Sequence, residues 1–219
     1  MGILLDYIEA NRGAGIVRWR HYLEALERHL ERFRGRDVHV LEFGVLHGGS
    51  LHMWRHFFGA RSRIYGVDID PRCARFEADG IRVFTGDQGD RVFLRRLRDE
   101  IPQVDVVIDD GGHTMTQQIA TFEELFPHVS ERGMYVCEDL HTSYWEEFGG
   151  GMHRPGTFIE YAKRLIDQLN AWHTRDRKAL DVDDFTLTTH AMHFYDSILF
   201  IEKRPMQAPE KIRSGVHSF

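Results

Sequence analysis

The sequence predicts an α/β fold: a mostly parallel seven-stranded sheet with helices on both faces and an antiparallel hairpin at its C-terminal edge. Three observations predict it. Short segments rich in Val, Ile and Tyr alternate with longer amphipathic ones, the pattern of βαβ units. The strand candidates are apolar nearly throughout, as strands covered on both faces must be. The last two are too close in sequence to hold a helix between them.

In chain order, VRWRHYLEALERHLERFRG (17–35) reads as an amphipathic helix ahead of the first strand. Strands are expected at HVLEF (39–43), RIYGVDI (63–69), IRVF (81–84), VDVVID (104–109) and MYVCED (134–139), most of them ending in acidic residues. Helices are expected at about 50–59, 71–79, 88–100, 115–127 and 156–173. DFTLTTHAM and DSILFIEK complete the sheet as the hairpin. No repeat, low-complexity tract or linker interrupts the pattern. The expected organisation is an N-terminal helical segment packed on the core (1–36), one domain (37–204) and a loosely held tail (205–219).

With 219 residues, 42% hydrophobic and 28% charged, the chain has enough apolar surface for one well-filled core. A net charge of −6 gives no overall electrostatic reason to bind nucleic acid. Cys73 and Cys137 are far apart and lack CxxC neighbours, so both read as free thiols in a reducing compartment. The N-terminus lacks a signal-peptide pattern and no stretch is long and apolar enough for a membrane span. A cytoplasmic protein without a membrane partner is expected.

In open parallel sheets ligands sit beyond the carboxyl ends of the strands, where the strand order reverses. LEFGVLHGGSL (41–51) supplies the first turn there. Glu42 ends the strand, Gly44, Gly48 and Gly49 are expected to let the backbone approach a ligand, His47 lies within the turn, and Ser50 can cap the next helix. Asp68, 19 residues after Gly49, is placed to accept from ribose hydroxyls, with Asp70 the better candidate for a helix cap. Asp87 and Gln88 in GDQGD end the third strand, placed to meet an adenine edge, and Asp109 joins this cofactor set. The pattern ExGxxxGGS lacks the middle glycine of a dinucleotide fingerprint, which admits a pyrophosphate. S-adenosylmethionine has no pyrophosphate, and its cationic groups suit an acid-lined edge. A solvated or capping role is the competing reading for each acid, and a nicotinamide-dependent oxidoreductase or a non-catalytic nucleoside-binding module the competing function.

Over about 20–203 the chain resembles the S-adenosylmethionine-dependent O-methyltransferases of the macrocin and mycinamicin type, which methylate sugar hydroxyls on macrolides. The resemblance rests on VLEFGVLHGGSLHMWRHFF, IYGVDIDP, GDQGD, VDVVIDDGGH, YVCEDLHTSYWEEFGG and HFYDSILFIEK, with IDDGGH and EDLHTSYW the specific parts. It implies a Rossmann-like class I methyltransferase fold, Mg²⁺ held by Asp110, Glu138 and Asp139, and His113 as general base. A small-molecule glycoside acceptor and self-association into a homo-oligomer are expected.

The chemistry of these residue types agrees with that implication. An alkyl hydroxyl has a pKa of about 16, so it is a poor nucleophile unless a cation polarises it and a base takes its proton. Oxygen ligands suit Mg²⁺, and an imidazole suits proton transfer near neutrality. A hydrogen-bonded structural histidine and an ordinary capped turn compete for the DDGGH stretch. The Gly-rich stretch 140–158 reads as a lid, with Tyr144, Trp145 and Phe148 able to stack on a sugar face or a polyketide surface or to pack back on the core. Trp19, Tyr22, Leu23 and Leu26 read as core or subunit contact. A catechol or phenol acceptor is the nearest alternative within the same chemistry.

Overall fold

Seven strands form one sheet in the order β3-β2-β1-β4-β5-β7-β6. They are β1 (His39–Phe43), β2 (Arg63–Asp68), β3 (Ile81–Thr85), β4 (Val104–Asp109), β5 (Val129–Cys137), β6 (Thr189–Tyr195) and β7 (Ile198–Lys203). Strands β1 to β5 are parallel, while β7 runs antiparallel to both β5 and β6. The molecule is described by a computed structural model over residues 2–216.

The central strands are buried on both faces, so each side chain that leaves the sheet meets a helix. One face is covered by α1 (Ile3–Ala10), α2 (Tyr22–Leu30) and α3 (Gly49–Phe58), which pack Leu4, Leu26 and Trp54 against Val40, Ile108 and Val136. The other is covered by α4 (Arg91–Glu100), α5 (Met115–Leu125), α6 (Phe158–Leu169) and the short α7 (Asp184–Thr188), with Leu94, Phe122 and Phe158 against Leu41, Val107 and Tyr135. Both cysteines are buried free thiols. No helix among the described residues is long and apolar enough to cross a membrane.

The predicted α/β architecture and hairpin are present, and five local expectations are corrected. The segment 17–35 is helical only from Tyr22 to Leu30, followed by a 3-10 turn, because residues 17–19 run extended across the sheet edge. Helix α1 was not anticipated; its first turn takes the Glu27 carboxylate of α2 as acceptor for the Leu4 amide, at 2.7 Å. The helix expected over 71–79 is a 3-10 turn, Pro71–Phe76, capped by Asp70, which accepts from the Arg72 amide at 2.9 Å. Strand β5 begins at Val129 and stops at Cys137, leaving Glu138 and Asp139 beyond its end. In DFTLTTHAM the first five residues form α7, because Asp183 and Thr186 make a capping box that starts a helix. Residues 205–216 are mostly exposed and without regular structure, and the last three residues of the expected tail lie outside the described ones.

The hairpin is tied to the sheet by a buried lysine. Lys203 Nζ donates to the carbonyls of Phe126, Pro127 and Val129 at 3.0, 3.1 and 2.7 Å. Lys203→Met removes all three donors and leaves buried acceptors unsatisfied. A loss of about 1–3 kcal/mol in unfolding free energy is expected, read from urea denaturation.

Candidate active site

A cavity of about 550 Å³ opens at the carboxyl ends of the parallel strands. Its walls come from the turn after β1, the ends of β2 and β3, the loop after β4 and the residues after β5. It lies across the gap between β1 and β4, where the strand order reverses. The extended segment Gly15–Trp19 forms the remaining wall.

The floor of the cavity is built from two adjacent strand ends. Asp110 follows β4 and Asp139 follows β5, and ligand-capable atoms of Asp110, His113 and Asp139 all lie within 4.8 Å of one another. His113 Nε2 is 3.5 Å from Asp139 Oδ2 and 4.0 Å from Asp110 Oδ1. His113 and Asp139 both adopt the left-handed backbone region, each at φ 55°. Such residues carry conformational strain unless their surroundings hold them. The buried Thr142 does so: its hydroxyl lies 2.9 Å from the carbonyl oxygens of both His113 and Asp139 and donates to this pair. Tyr22 Oη donates to Asp139 Oδ1 at 2.9 Å and also reaches the Ser197 carbonyl at 3.1 Å.

Behind this floor sits a buried guanidinium. Arg18 Nη2 donates to Glu42 Oε1 at 3.0 Å and to Asp110 Oδ2 at 2.8 Å, and Nη1 lies 3.2 Å from Glu138 Oε1. The guanidinium also stacks over Trp54, 4.9 Å from the ring centroid. Burial works to lower the Arg18 pKa, but Glu138, Asp110 and Glu42 outweigh it and hold it above its ordinary value. Burial pushes the carboxyls of Glu42, Asp110 and Glu138 up, with Arg18 pulling each of them back. Glu138 Oε1 is buried without a hydrogen-bond donor despite its proximity to Arg18.

The predicted residues therefore separate into groups. Asp110, His113 and Asp139 converge on the cavity, and Glu138 lines it while turning toward Arg18. Gly44, His47, Ser50, Asp68, Asp87 and Gln88 also line it. Among the described residues the wall does not include Glu42, Gly48, Gly49 or Asp109. Asp109 is fully buried beneath the floor, where Gln88 Nε2 and Tyr135 Oη donate to its carboxylate at 2.8 and 3.1 Å. The same Gln88 side chain accepts from the Gly112 amide at 2.8 Å, so its polar atoms hold the loop after β4 and are not free to read an adenine edge. Asp68 accepts from the amides of Val45 and Leu46, both at 2.9 Å, and so shapes the turn it borders.

Ser50 does not cap α3. Its hydroxyl donates to Glu42 at 2.7 Å, and Gly48 occupies the cap position without a side-chain bond. The glycines of the first turn serve close packing of one loop on another, and Gly44 also lines the cavity. A Cβ on Gly44, at φ 90°, would lie 2.0 Å from the Asp110 carbonyl oxygen, and one on Gly48, at φ 76°, would lie 2.3 Å from the Phe76 ring. Gly49 abuts the carbonyls of Ala14 and Gly15 in the same way.

Tyr144, Trp145 and Phe148 lie outside the cavity wall; Trp145 and Phe148 pack on each other beside its mouth, and Tyr144 is exposed. His141 bridges them to the mouth, packing edge-on against Trp145 at 4.6 Å and against Trp19 at 5.9 Å. Of the residues expected as core or subunit contact, Tyr22, Leu23 and Leu26 are buried in the core, whereas Trp19 is exposed and lines the cavity. Arg18, Tyr22 and Thr142 are the site residues that sequence reasoning missed. The one available signal for Arg18 was the number of acids gathered at one edge, which demands a cation among them.

A family described as a methyltransferase domain matches residues 41–140. An O-methyltransferase from Streptomyces olivaceus, 8-demethyl-8-alpha-L-rhamnosyl tetracenomycin-C 2'-O-methyltransferase, is 37% identical over 84% of this chain and 50% of its own. Demethylmacrocin O-methyltransferase from Streptomyces fradiae is 36% identical over 86% of this chain and 49% of its own. A methyltransferase from the mycinamycin biosynthetic pathway, solved in complex with Mg, SAH and mycinamycin VI, superposes with a TM-score of 0.80 at 33% identity, covering 92% of this chain and 53% of that one. The chain thus spans about half the length of the curated relatives it matches, and its fold is that of class I methyltransferases.

Replacing Arg18 by Met strands Glu42 and Glu138 as buried charges without a partner. A loss of about 3–5 kcal/mol in stability is expected from urea unfolding in EDTA, with Arg18→Lys intermediate. An Arg18→Met protein as stable as the parent would show that the guanidinium does not balance these acids.

Proposed function

We propose that the chain belongs with the macrocin- and mycinamicin-type sugar O-methyltransferases it resembles, and that it methylates a sugar hydroxyl of a glycosylated natural product, using S-adenosylmethionine and Mg²⁺. The observation that carries this reading is the convergence of Asp110, His113 and Asp139 on the floor of one cavity. The residues fit both groups. The oxygens of Asp110 and Asp139 converge and would supply hard ligands suited to Mg²⁺; Glu138, expected as the third ligand, lines the cavity with its Oε1 3.2 Å from Arg18 Nη1. The cavity is of the size that takes a nucleoside cofactor, with the acids Asp68 and Asp87 in its wall. When bound, the cofactor supplies an electrophilic methyl group and the ion lowers the pKa of an acceptor hydroxyl.

The chain's own residues then do the rest. His113 takes the hydroxyl proton on Nε2, where the carboxylates of Asp139 and Asp110, at 3.5 and 4.0 Å, stabilise the imidazolium that forms. Tyr22 and Thr142 hold Asp139 and His113 in their strained geometry, so the base and the acids keep their spacing without reorganising. Asp68, Asp87, Gly44, His47 and Ser50 line the cavity; with the cofactor bound, Asp68 would accept from the ribose hydroxyls and Asp87 would lie toward the adenine. The aromatic rim of Tyr144, Trp145 and Phe148, extended by His141 and Trp19, offers stacking surface to a sugar or its aglycone. Self-association into a homo-oligomer belongs to the same reading and is checked by light scattering.

S-adenosylhomocysteine titrated into the protein by calorimetry, with EDTA and then with Mg²⁺, is expected to bind in the micromolar range. Absence of binding under both conditions would sink the reading. His113→Ala is expected to keep cofactor and Mg²⁺ affinity while losing about 10²–10⁴-fold in turnover with a glycoside acceptor. Loss of Mg²⁺ affinity in that variant would instead make His113 a metal ligand. Asp139→Ala is expected to abolish the Mg²⁺ response of turnover, and full metal-dependent activity in it would exclude the assignment.

A further inference from the structure

A second group of metal-ligating side chains lies outside the cavity, at the far edge of the sheet where α2 packs on the β6–β7 hairpin. His29 comes from α2, His193 from β6 and Glu202 from β7, and one ligand-capable atom from each lies within 4.8 Å of the others. His193 Nε2 is 2.7 Å from Glu202 Oε1, and His29 Nδ1 is 3.9 Å from the same oxygen. Three elements distant in sequence thus aim two imidazoles and one carboxylate at a common point.

The surroundings have the features of a metal site. His29 is buried and stacks on Phe200, with ring centroids 4.4 Å apart, so its ring is fixed. Its other nitrogen, Nε2, meets the Tyr195 hydroxyl at 2.9 Å, the outer-shell bond that sets the tautomer of a ligating histidine. In the tautomer that donates from Nε2 to Tyr195, the Nδ1 lone pair of His29 is free for an ion and points toward the same Glu202 oxygen that His193 approaches. Arg32 lies 3.8 Å from Glu202 Oε2, whereas Oε1 is the oxygen that both imidazoles approach. His193 and Glu202 are partly exposed, giving an ion an entry path and a water a place as fourth ligand.

We propose that His29, His193 and Glu202 form a structural Zn²⁺ site that fastens α2 to the β6–β7 hairpin, separate from the ion of the cavity. Two imidazoles and a carboxylate with one open position are a zinc donor set, whereas Mg²⁺ prefers oxygen ligands throughout. Tetrahedral zinc needs ligand atoms about 3.3 Å apart, which the present spacings reach by small side-chain rotations. The consequence extends to the cavity. Tyr22, which holds Asp139, lies seven residues before His29 on the same helix, so fastening one end of α2 also steadies the other.

The test is calorimetric titration of metal-stripped full chain with Zn²⁺ in the presence of excess Mg²⁺, which keeps the cavity acids occupied. One Zn²⁺ per chain is expected, with affinity falling at least about tenfold in both His193→Ala and Glu202→Gln. Zn²⁺ is also expected to raise the thermal midpoint of the parent but of neither variant, and Co²⁺ to give tetrahedral visible absorption that both variants lose. His193 and Glu202 are partly exposed, and circular dichroism of each variant verifies that it is folded. No Zn²⁺ binding to the parent overturns the proposal. So does binding that persists undiminished in both variants, or that is lost in Asp110→Asn but kept in His193→Ala.

Discussion

The arrangement of the whole sheet edge depends on one buried charge, the guanidinium of Arg18. The parallel strands deliver Glu42, Asp110 and Glu138 to a single low-dielectric region, where uncompensated carboxylates repel one another and lose their hydration. Arg18 lies among all three and is itself almost fully buried. It arrives on the segment Gly15–Trp19, which has no regular secondary structure and walls the cavity. That segment in turn requires Gly49 beneath it, whose amide donates to the Gly15 carbonyl at 3.2 Å.

A second layer of constraint holds the strand-end loops in shape. Gln88 joins the end of β3 to the loop after β4 by contacting Asp109 and Gly112, and Tyr135 reaches the same Asp109 from β5. Burial raises the Asp109 carboxyl to about 6, which marks how little solvent reaches this network. Above it, Thr142 spans His113 and Asp139. The proposed catalytic residues thus sit in strained backbone over a fixed base, the arrangement expected where positioning provides much of the rate.

Legibility differed by kind of residue. IDDGGH and EDLH were readable as a site because the chain places acids and an imidazole at the ends of apolar strands, where burial without a purpose is costly. Gly44 and Gly48 were readable as special positions but not in their purpose: positive φ and close packing against Asp110 and Phe76 are contacts between distant segments. Ser50 and Gln88 were misread for the same reason. Each has a short-range role that its neighbours favour, a cap or a ligand contact, and each is drawn instead to a buried partner on another element.

The sequence by itself determined the α/β alternation, the C-terminal hairpin and the strand ends that carry the acids, because hydrophobic periodicity and turn chemistry act over a few residues. The resemblance to sugar O-methyltransferases was equally local, carried by contiguous motifs. Only the tertiary structure decided that Glu138 faces Arg18 while Asp139 faces His113, although the two are adjacent in the chain. It also brought Tyr22 to Asp139 and His29 to His193 and Glu202. Arg18 to Glu138, Tyr22 to Asp139 and His29 to His193 and Glu202 each join segments separated by more than a hundred residues, and no local preference encodes which buried charge will meet which partner. That choice belongs to the packing of the two helical layers on the sheet.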